Sequence, residues 1–428
     1  MLLSPTLSHD LEWLAPATEA LKSNDWKSPV WFDGKALSTS QVCEQAAIDL
    51  FSALGENTSA RTLVIRDVNF GLNVQQALTE LLARNHFLES VTLKNLRVQQ
   101  LTWQVPHQLF DNKSLRQLHL ERCLLDATSC RALARLLLSS DASLLSLTLK
   151  DVQLDEGCCV ANIAMALSKA DSLEELCLHG LTLSSENINL LIEAIGMNSS
   201  LRTLRLEKMS LDVESAPALG AMLADNQHLT QLSLRNNNLC GDAIRTLVQD
   251  GLARNNSLQA LCLSQNPVGD NGAECLAKGL MANFTLRKLS LVQAEIWSDG
   301  CREFLSGIAK CQGLRHVSLD GNDFDDCVTD LLLTLDQNMF LEHVMDSLPL
   351  LMRSKLSDTA AWRQVDLLLR MNKAGRRMLL VDNDFAPSLV PYVLAKGAAA
   401  PSSVCHDRGS RPPDVLYEMI RQLQFYGS

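Results

Sequence analysis

The sequence predicts an α/β fold, a right-handed solenoid with a parallel sheet on its concave face and helices on its convex face. Two observations carry this. The motif Leu-x-x-Leu-x-Leu returns about every 28 residues between Ala60 and Leu314, and a helical pattern of apolar residues follows each copy. Periodicity at this length is the mark of stacked units, each too small to bury its own apolar face.

With the first position of the motif as slot one, copies begin at Ala60, Leu88, Leu115, Leu144, Leu173, Leu201, Leu229, Leu258, Leu286 and Leu314. A degraded eleventh begins at Leu341. Slots one, four, six and eleven are aliphatic almost throughout, as in Leu201, Leu204, Leu206 and Leu211. Strand alternation then sends slots four and six to the core and leaves slots three, five and seven on the open face. The second half of each unit reads as helix. Ala273, Leu276, Ala277 and Leu280 fall at i, i+3, i+4 and i+7, one apolar stripe aimed at the sheet. Asp242 and Asp270 are the expected N-caps of their helices.

These copies resemble the leucine-rich repeat family, specifically its ribonuclease-inhibitor-like class with long repeats. The resemblance spans about residues 60 to 340. It implies a horseshoe whose strand face receives a protein partner. The family places Asn or Cys at slot nine, where the side chain satisfies the turn after the strand. Cys123, Asn237, Asn266 and Asn322 fit, whereas Val68, Leu96, Val152, Leu181, Met209 and Ala294 depart from the pattern. Turns in the early repeats are therefore expected to be less well satisfied.

Three regions follow. Residues 1–55 form an N-terminal capping region holding Trp13, Trp26 and Trp31, with a strand-like Val30-Trp31-Phe32 and a helix from Ser40 to about Leu54. The capping reading packs these aromatics on the first repeat. Residues 56–340 form the solenoid of ten to eleven repeats. Residues 341–428 form a C-terminal helical cap or docking extension. It contains a helical stripe at Trp362, Val365, Leu368 and Leu369, a flexible loop over 397–413, and a last helix from Asp414 to Phe425.

Composition narrows the function. No apolar run approaches the roughly 18 to 20 residues of a membrane span, and the start lacks the basic n-region of a secretory signal. The thirteen cysteines are odd in number and contain no CxxC, so free thiols in a reducing compartment are expected: the cytoplasm, with the nucleus the other option. Sequons at Asn57, Asn112, Asn198, Asn255 and Asn283 weigh little, because Asn-x-Ser/Thr-Leu is how several repeats enter their strand. No phosphate loop is present, and no spacing suits a metal. Cys177 and His179 share a strand face, but His119 lies two strands away, roughly 10 Å at ~4.8 Å per strand. The reading is that the protein is not an enzyme, with no catalytic residue, metal or cofactor.

The open strand face carries what signal there is. Slots two, three, five, seven and eight hold thirteen basic and eight acidic residues, although the whole chain has a net charge of −11. Slots three, five and seven alone hold six basic and four acidic. The candidate partner-binding patch is Lys150, His179, Arg205 and Arg235, extended by Arg66 and Lys94, with an acidic protein segment as its partner. Nucleic acid is disfavoured by the acidic balance and the scarcity of aromatics on these slots. A membrane partner is not expected, and the oligomeric state is left open. The expected role is a non-catalytic scaffold, adaptor or inhibitor that binds protein on the concave sheet. Two alternatives stand beside it: a GTPase-activating protein for a small GTPase, which a GTP hydrolysis assay would separate, and an innate-immune-receptor-like repeat protein lacking its nucleotide-binding module.

Overall fold

The computed structural model describes residues 14–24, 26, 28–33, 41–141, 144–154, 158–323, 327–345 and 359–374. Two compact units divide the chain, residues 1–209 and 210–428, and each is an α/β solenoid.

In the first unit the strands, numbered in chain order, are Val30–Asp33 (β1), Thr62–Arg66 (β2), Asn69–Phe70 (β3), Ser90–Lys94 (β4), Arg97–Val98 (β5) and Leu101–Thr102 (β6). There follow Gln117–Glu121 (β7), Leu124–Leu125 (β8), Ser146–Lys150 (β9), Gln153–Leu154 (β10), Glu175–His179 (β11) and Thr203–Glu207 (β12). The main sheet runs β1-β2-β4-β7-β9-β11-β12, every pair parallel and joined slot to slot. Slots four and six are buried in every copy, from Leu63 and Ile65 to Leu204 and Leu206. Each such side chain contributes about 1.5 to 3 kcal/mol on burial, so the pleat is set by which face can be hidden.

Helices Leu14–Lys22 (α1), Gln41–Glu56 (α2), Leu72–Arg84 (α3), Ala127–Leu138 (α4), Cys158–Lys169 (α5) and Ser185–Gly196 (α6) complete this unit. In α4, Cys130, Leu133, Ala134 and Leu137 form the buried stripe. Asp126 caps it by accepting from the Ser129 N–H at 2.8 Å, and Ser184 caps α6 in the same way at 3.4 Å.

The second copy departs from the strand-then-helix rule. After β4 come β5 and its antiparallel partner β6, then a 3₁₀ turn at His107–Asp111. Trp103 and Val105 are buried with the exposed Gln104 between them, an extended pattern, and Pro106 follows. Proline disfavours helix at the residue before it, which leaves too little chain for an α-helix.

At the first edge, Phe32 packs against Phe51 and Phe70 with ring centroids 5.2 and 6.4 Å away. Trp31 does not join them. It occupies the open-face position of β1, 44% exposed, with the Arg66 guanidinium 5.5 Å from its ring centroid. The packing of the tryptophans expected from sequence therefore fails at Trp31, because alternation assigns the core position to Phe32. Trp13 lies outside the described residues.

The second unit has parallel strands Gln231–Ser233 (β13), Ala260–Cys262 (β14), Lys288–Ser290 (β15) and His316–Ser318 (β16). His343, in the copy beginning at Leu341, bridges His316 in the parallel sense. The helices are Ala216–Asp225 (α7), Gly241–Thr246 (α8), Gly269–Leu280 (α9), Ser298–Ile308 (α10), Val328–Gln337 (α11) and Thr359–Ala374 (α12). A π-helical turn, Leu247–Leu252, continues α8. The stripe of α9 is buried at Ala273, Leu276, Ala277 and Leu280, and that of α12 at Trp362, Val365, Leu368 and Leu369. The loop expected over 397–413 and the helix from Asp414 to Phe425 lie outside the described residues.

The expected caps are corrected. Helices α8 and α9 start earlier than the sequence suggests, after Cys240 and Val268, so Asp242 and Asp270 lie in first turns. Asp242 accepts from Arg245 at 2.9 Å, and Asp270 accepts from the Trp297 N–H at 2.8 Å, tying its helix to the next repeat.

Two side-chain ladders stitch the repeats. At slot nine, Asn266 donates to the Leu234 and Leu263 carbonyls, both at 2.9 Å, and accepts from the Leu239 N–H at 3.1 Å. Asn322 repeats the arrangement on Leu291 and Leu319 at 2.7 and 2.8 Å. In the early copies Cys123 Sγ donates to the Leu93 and Glu121 carbonyls at 3.7 and 3.4 Å, and backbone bonds engage the slot-nine carbonyls. Arg97 N–H donates to Val68 at 2.8 Å and Gln153 N–H to Cys123 at 2.9 Å, through the short strands β3, β5, β8 and β10. The polar ladder is interrupted there without leaving those turn carbonyls bare. The second ladder sits three residues before slot one. Asn255 donates to Leu223 and Asn226 carbonyls at 2.7 and 3.0 Å and accepts from Ser257 and Leu258 N–H at 3.0 and 2.7 Å. Asn85, Asn198, Asn283 and Asn338 do the same, all buried.

Candidate functional site

The open face of the first unit is built by three rows of side chains, because in-register parallel pairing places each slot beside its counterpart. The slot-seven row reads Asp33, Arg66, Lys94, Glu121, Lys150, His179 and Glu207. The slot-five row reads Trp31, Val64, Thr92, His119, Thr148, Cys177 and Arg205. From β4 to β12 the slot-three row reads Ser90, Gln117, Ser146, Glu175 and Thr203.

Five of the six candidate residues lie in these rows, and most are met by a neighbour. Arg66 Nε stands 2.9 Å from Asp33 Oδ2. Lys94 and Lys150 approach the two oxygens of one carboxylate, Glu121 Oε2 and Oε1, each at 3.2 Å. Glu121 keeps only 5% of its side chain exposed. Burial alone would raise its carboxyl pKa, but hydrogen bonds from the two ammonium groups outweigh that and lower it. His179 Nδ1 lies 3.7 Å from Asp151 Oδ1, beyond hydrogen-bond range, and across from Glu207. Arg205 is exposed and has no ion-pair partner among the described residues. The sixth, Arg235, belongs to the second unit, where its Nε donates to Gln265 Oε1 at 3.0 Å.

Residue counting along the slots missed Glu121 as the centre of this network. The signal was present: Glu121 holds slot seven with a lysine in the same slot of the repeats before and after it. His119 joins the cluster, its Nε2 being 3.6 Å from Glu121 Oε2. Burial lowers its pKa, with Glu121 acting in the opposite sense and the two lysines reinforcing the fall. Beside it lies a shallow depression of about 260 Å³, lined by Ser90, Thr92, Gln117, His119, Ser146 and Thr148 above the backbone of Val91 and Leu118.

Among the described residues no three His, Cys, Asp or Glu side chains are placed to hold a metal. Burial pushes the thiols of Cys123 and Cys311 up to about 12, far from nucleophilic thiolates. Cys177, on the open face, is also raised by burial. No helix among the described residues is long and apolar enough to cross a membrane.

A family model described as Leucine Rich repeat matches residues 254–277. Human NACHT, LRR and PYD domains-containing protein 5 is 27% identical over 242 residues, which covers 55% of this chain and 19% of that protein. Human NACHT, LRR and PYD domains-containing protein 14 is 28% identical over 193 residues, 38% of this chain and 18% of that protein. The chain thus matches about a fifth of the length of these relatives. Among solved structures, the plant peptide hormone receptor RGFR1 in complex with RGF2 covers 69% of this chain and 52% of its own, at 14% identity and a TM-score of 0.34. The Caenorhabditis elegans tropomodulin C-terminal domain covers 42% of this chain and 90% of its own, at 14% identity and a TM-score of 0.28.

Proposed function

We propose that this chain, a leucine-rich repeat protein, acts as a non-catalytic scaffold, adaptor or inhibitor that binds a protein partner on its open strand face. One observation carries the reading. In the first unit, seven parallel strands present rows of mostly polar and charged side chains on one side, broken at Trp31, Val64 and Cys177, while the aliphatic slots are buried on the other. A surface held this rigidly loses little conformational entropy when a partner docks. In the first unit the proposed patch is Lys150, His179, Arg205, Arg66 and Lys94, for a partner with an acidic segment; Arg235 is proposed separately as a contact on the strand face of the second unit. Arg205 supplies the charge that no described neighbour neutralises. A reducing compartment, the cytoplasm, belongs to the same proposal. Nucleic acid is not part of the proposal: among the described residues of the first unit the slot-five row carries aromatic rings only at Trp31 and His119.

The test is affinity purification from the native cell with three baits: the natural chain, the Arg205→Glu/Arg235→Glu variant, and Met165→Glu. Met165 lies 51% exposed on α5. The strand-face variant should lose the main partner while the helix-side variant keeps it. The same partner set on all three baits would refute the proposal. A second reading draws on the relatives, whose names place such repeats beside NACHT and PYD domains: the chain would then be a repeat array working with a NACHT-bearing protein, which the natural bait would retain.

A further inference from the structure

We infer that the depression centred on His119 is a socket for one carboxylate side chain of the partner, received by Thr92, His119 and Thr148 with Lys94 and Lys150 beside it on the slot-seven row. This rests on the reading of the strand face as the partner surface and names the chemistry of the contact.

The size of the depression decides first. At about 260 Å³ and open on one side, it falls below the ~300 to 1,000 Å³ of pockets that enclose small ligands and cofactors. A protein side chain fits it. Charge decides next. Lys94 and Lys150 flank Glu121 on neighbouring strands, and on this slot-seven side they leave an excess of one positive charge against its single negative one, while Glu175, which accepts from Ser146 at 3.3 Å, stands at the slot-three side. A cationic side chain is repelled. A dianionic phosphate group finds only half its charge matched and faces the fixed Glu121 carboxylate. A monoanion is matched.

Donors decide last. Each ammonium directs a hydrogen at Glu121 and keeps others. Of the hydroxyls on the wall, Ser90 donates to Gln117 Oε1 at 3.2 Å and Ser146 to Glu175 Oε2 at 3.3 Å. Thr92, His119 and Thr148 form the middle of the depression, one beside the next on β4, β7 and β9. They offer two hydroxyls and an imidazole to an incoming oxygen. Glu121 is here a positioning residue: nearly buried, it fixes both lysines before the partner arrives, so little rotamer entropy remains to be lost.

His119 reports occupancy. The charged groups facing it are Glu121 on its own strand, Lys94 on β4 and Lys150 on β9. A carboxylate in the socket adds a negative charge beside an imidazole that burial holds neutral, so binding raises its pKa and takes up a proton. Affinity should therefore strengthen as pH falls toward the lowered value of the unoccupied His119.

The experiment uses the full chain labelled at histidine, followed by NMR. The probes are a short poly-glutamate peptide, a poly-glutamine peptide of equal length, and inorganic phosphate. Poly-glutamate should shift the His119 imidazole resonances and raise its pKa, while poly-glutamine leaves them in place. Lys94→Gln and Lys150→Gln should each weaken that binding by at least about fivefold, the scale of a charge-assisted hydrogen bond. Thr148→Val, which removes a hydroxyl without a charge, should weaken it less and guards against misfolding of the lysine variants. The inference is overturned if His119 stays unmoved, if both lysine variants bind as the natural chain does, or if phosphate displaces the peptide at equal concentration. Loss of the native partner from the Arg205→Glu/Arg235→Glu bait, together with an unmoved His119, would remove the socket and leave the strand-face reading standing.

Discussion

Single residues fix the stack at positions that carry no leucine. Asn255 meets two carbonyls and two N–H groups from one side chain, and it is 1% exposed. Replacing it with Ala leaves buried backbone groups unsatisfied at about 1 to 3 kcal/mol each. We expect Asn255→Ala to lower stability by about 3 kcal/mol or more in urea titration. A loss below about 1 kcal/mol would mean the ladder is incidental. Slot eight is the second such position. Asp67, Asn95, Arg122, Asp151, Gly180, Lys208, Asn236, Gln265, Gln293 and Gly321 all adopt φ between 48° and 74°. Left-handed backbone costs a side-chain-bearing residue about 1 to 2 kcal/mol, and glycine returns part of that as chain entropy. Lys208→Gly should therefore stabilise by about 0.5 to 1 kcal/mol. Glu121 provides a pH signature. Its folded pKa is lowered, so its contribution is present above the ordinary value of 4.5 and is lost as pH falls through the folded value. Glu121→Gln should be less stable than the natural chain at neutral pH and should lack that part of the acid loss. Parallel stability–pH curves for the two proteins would contradict this.

At the scale of elements, close approach and backbone substitution set the limits. Gly251 lies against α7, where an added Cβ would stand 2.9 Å from the Gly220 carbonyl oxygen and 3.1 Å from its Cα. Backbone cannot yield as a flexible side chain can. Gly251→Ala should push the π-helical turn away from α7 and cost about 1 to 3 kcal/mol, the range of overpacked cores. Unchanged thermal stability would show that the contact relaxes freely. In the early repeats, the paired strands β3 with β5 and β8 with β10 bond the slot-nine carbonyls of Val68 and Cys123 through backbone, whereas Asn237, Asn266 and Asn322 bond slot-six carbonyls in the later ones. Sequence alone led to weaker early turns. With those bonds in place, amide exchange at Arg97 and Gln153 is expected to be as slow as at Leu239, and markedly faster exchange would restore the original expectation. The same blind spot hid the missing helix of the second copy, because Pro106 acts on a single position inside an otherwise regular spacing.

For the molecule as a binding surface, electrostatics are short-ranged. Strand-face ion pairs such as Arg66 with Asp33 are partly exposed and add little stability. Their effect is to cancel charge locally, which leaves Arg205 and the Lys94–Glu121–Lys150 cluster as the charged features of the proposed binding face. Association with an acidic partner should weaken as ionic strength rises past about 0.15 M, where the screening length is about 8 Å. Salt-independent affinity would point to apolar contacts instead. The sequence by itself determined the repeat, the strand register and the buried leucines, because a period near 28 residues and alternation within each copy permit one arrangement of apolar side chains. It also placed the candidate lysines on one row. Only the tertiary structure decided which charges remain available, since whether Lys94 and Lys150 stand free or share Glu121 depends on neighbours 27 and 29 residues away in the chain and one strand away in space. Charge cancellation is a property of distance, and distance between repeats is written in the fold.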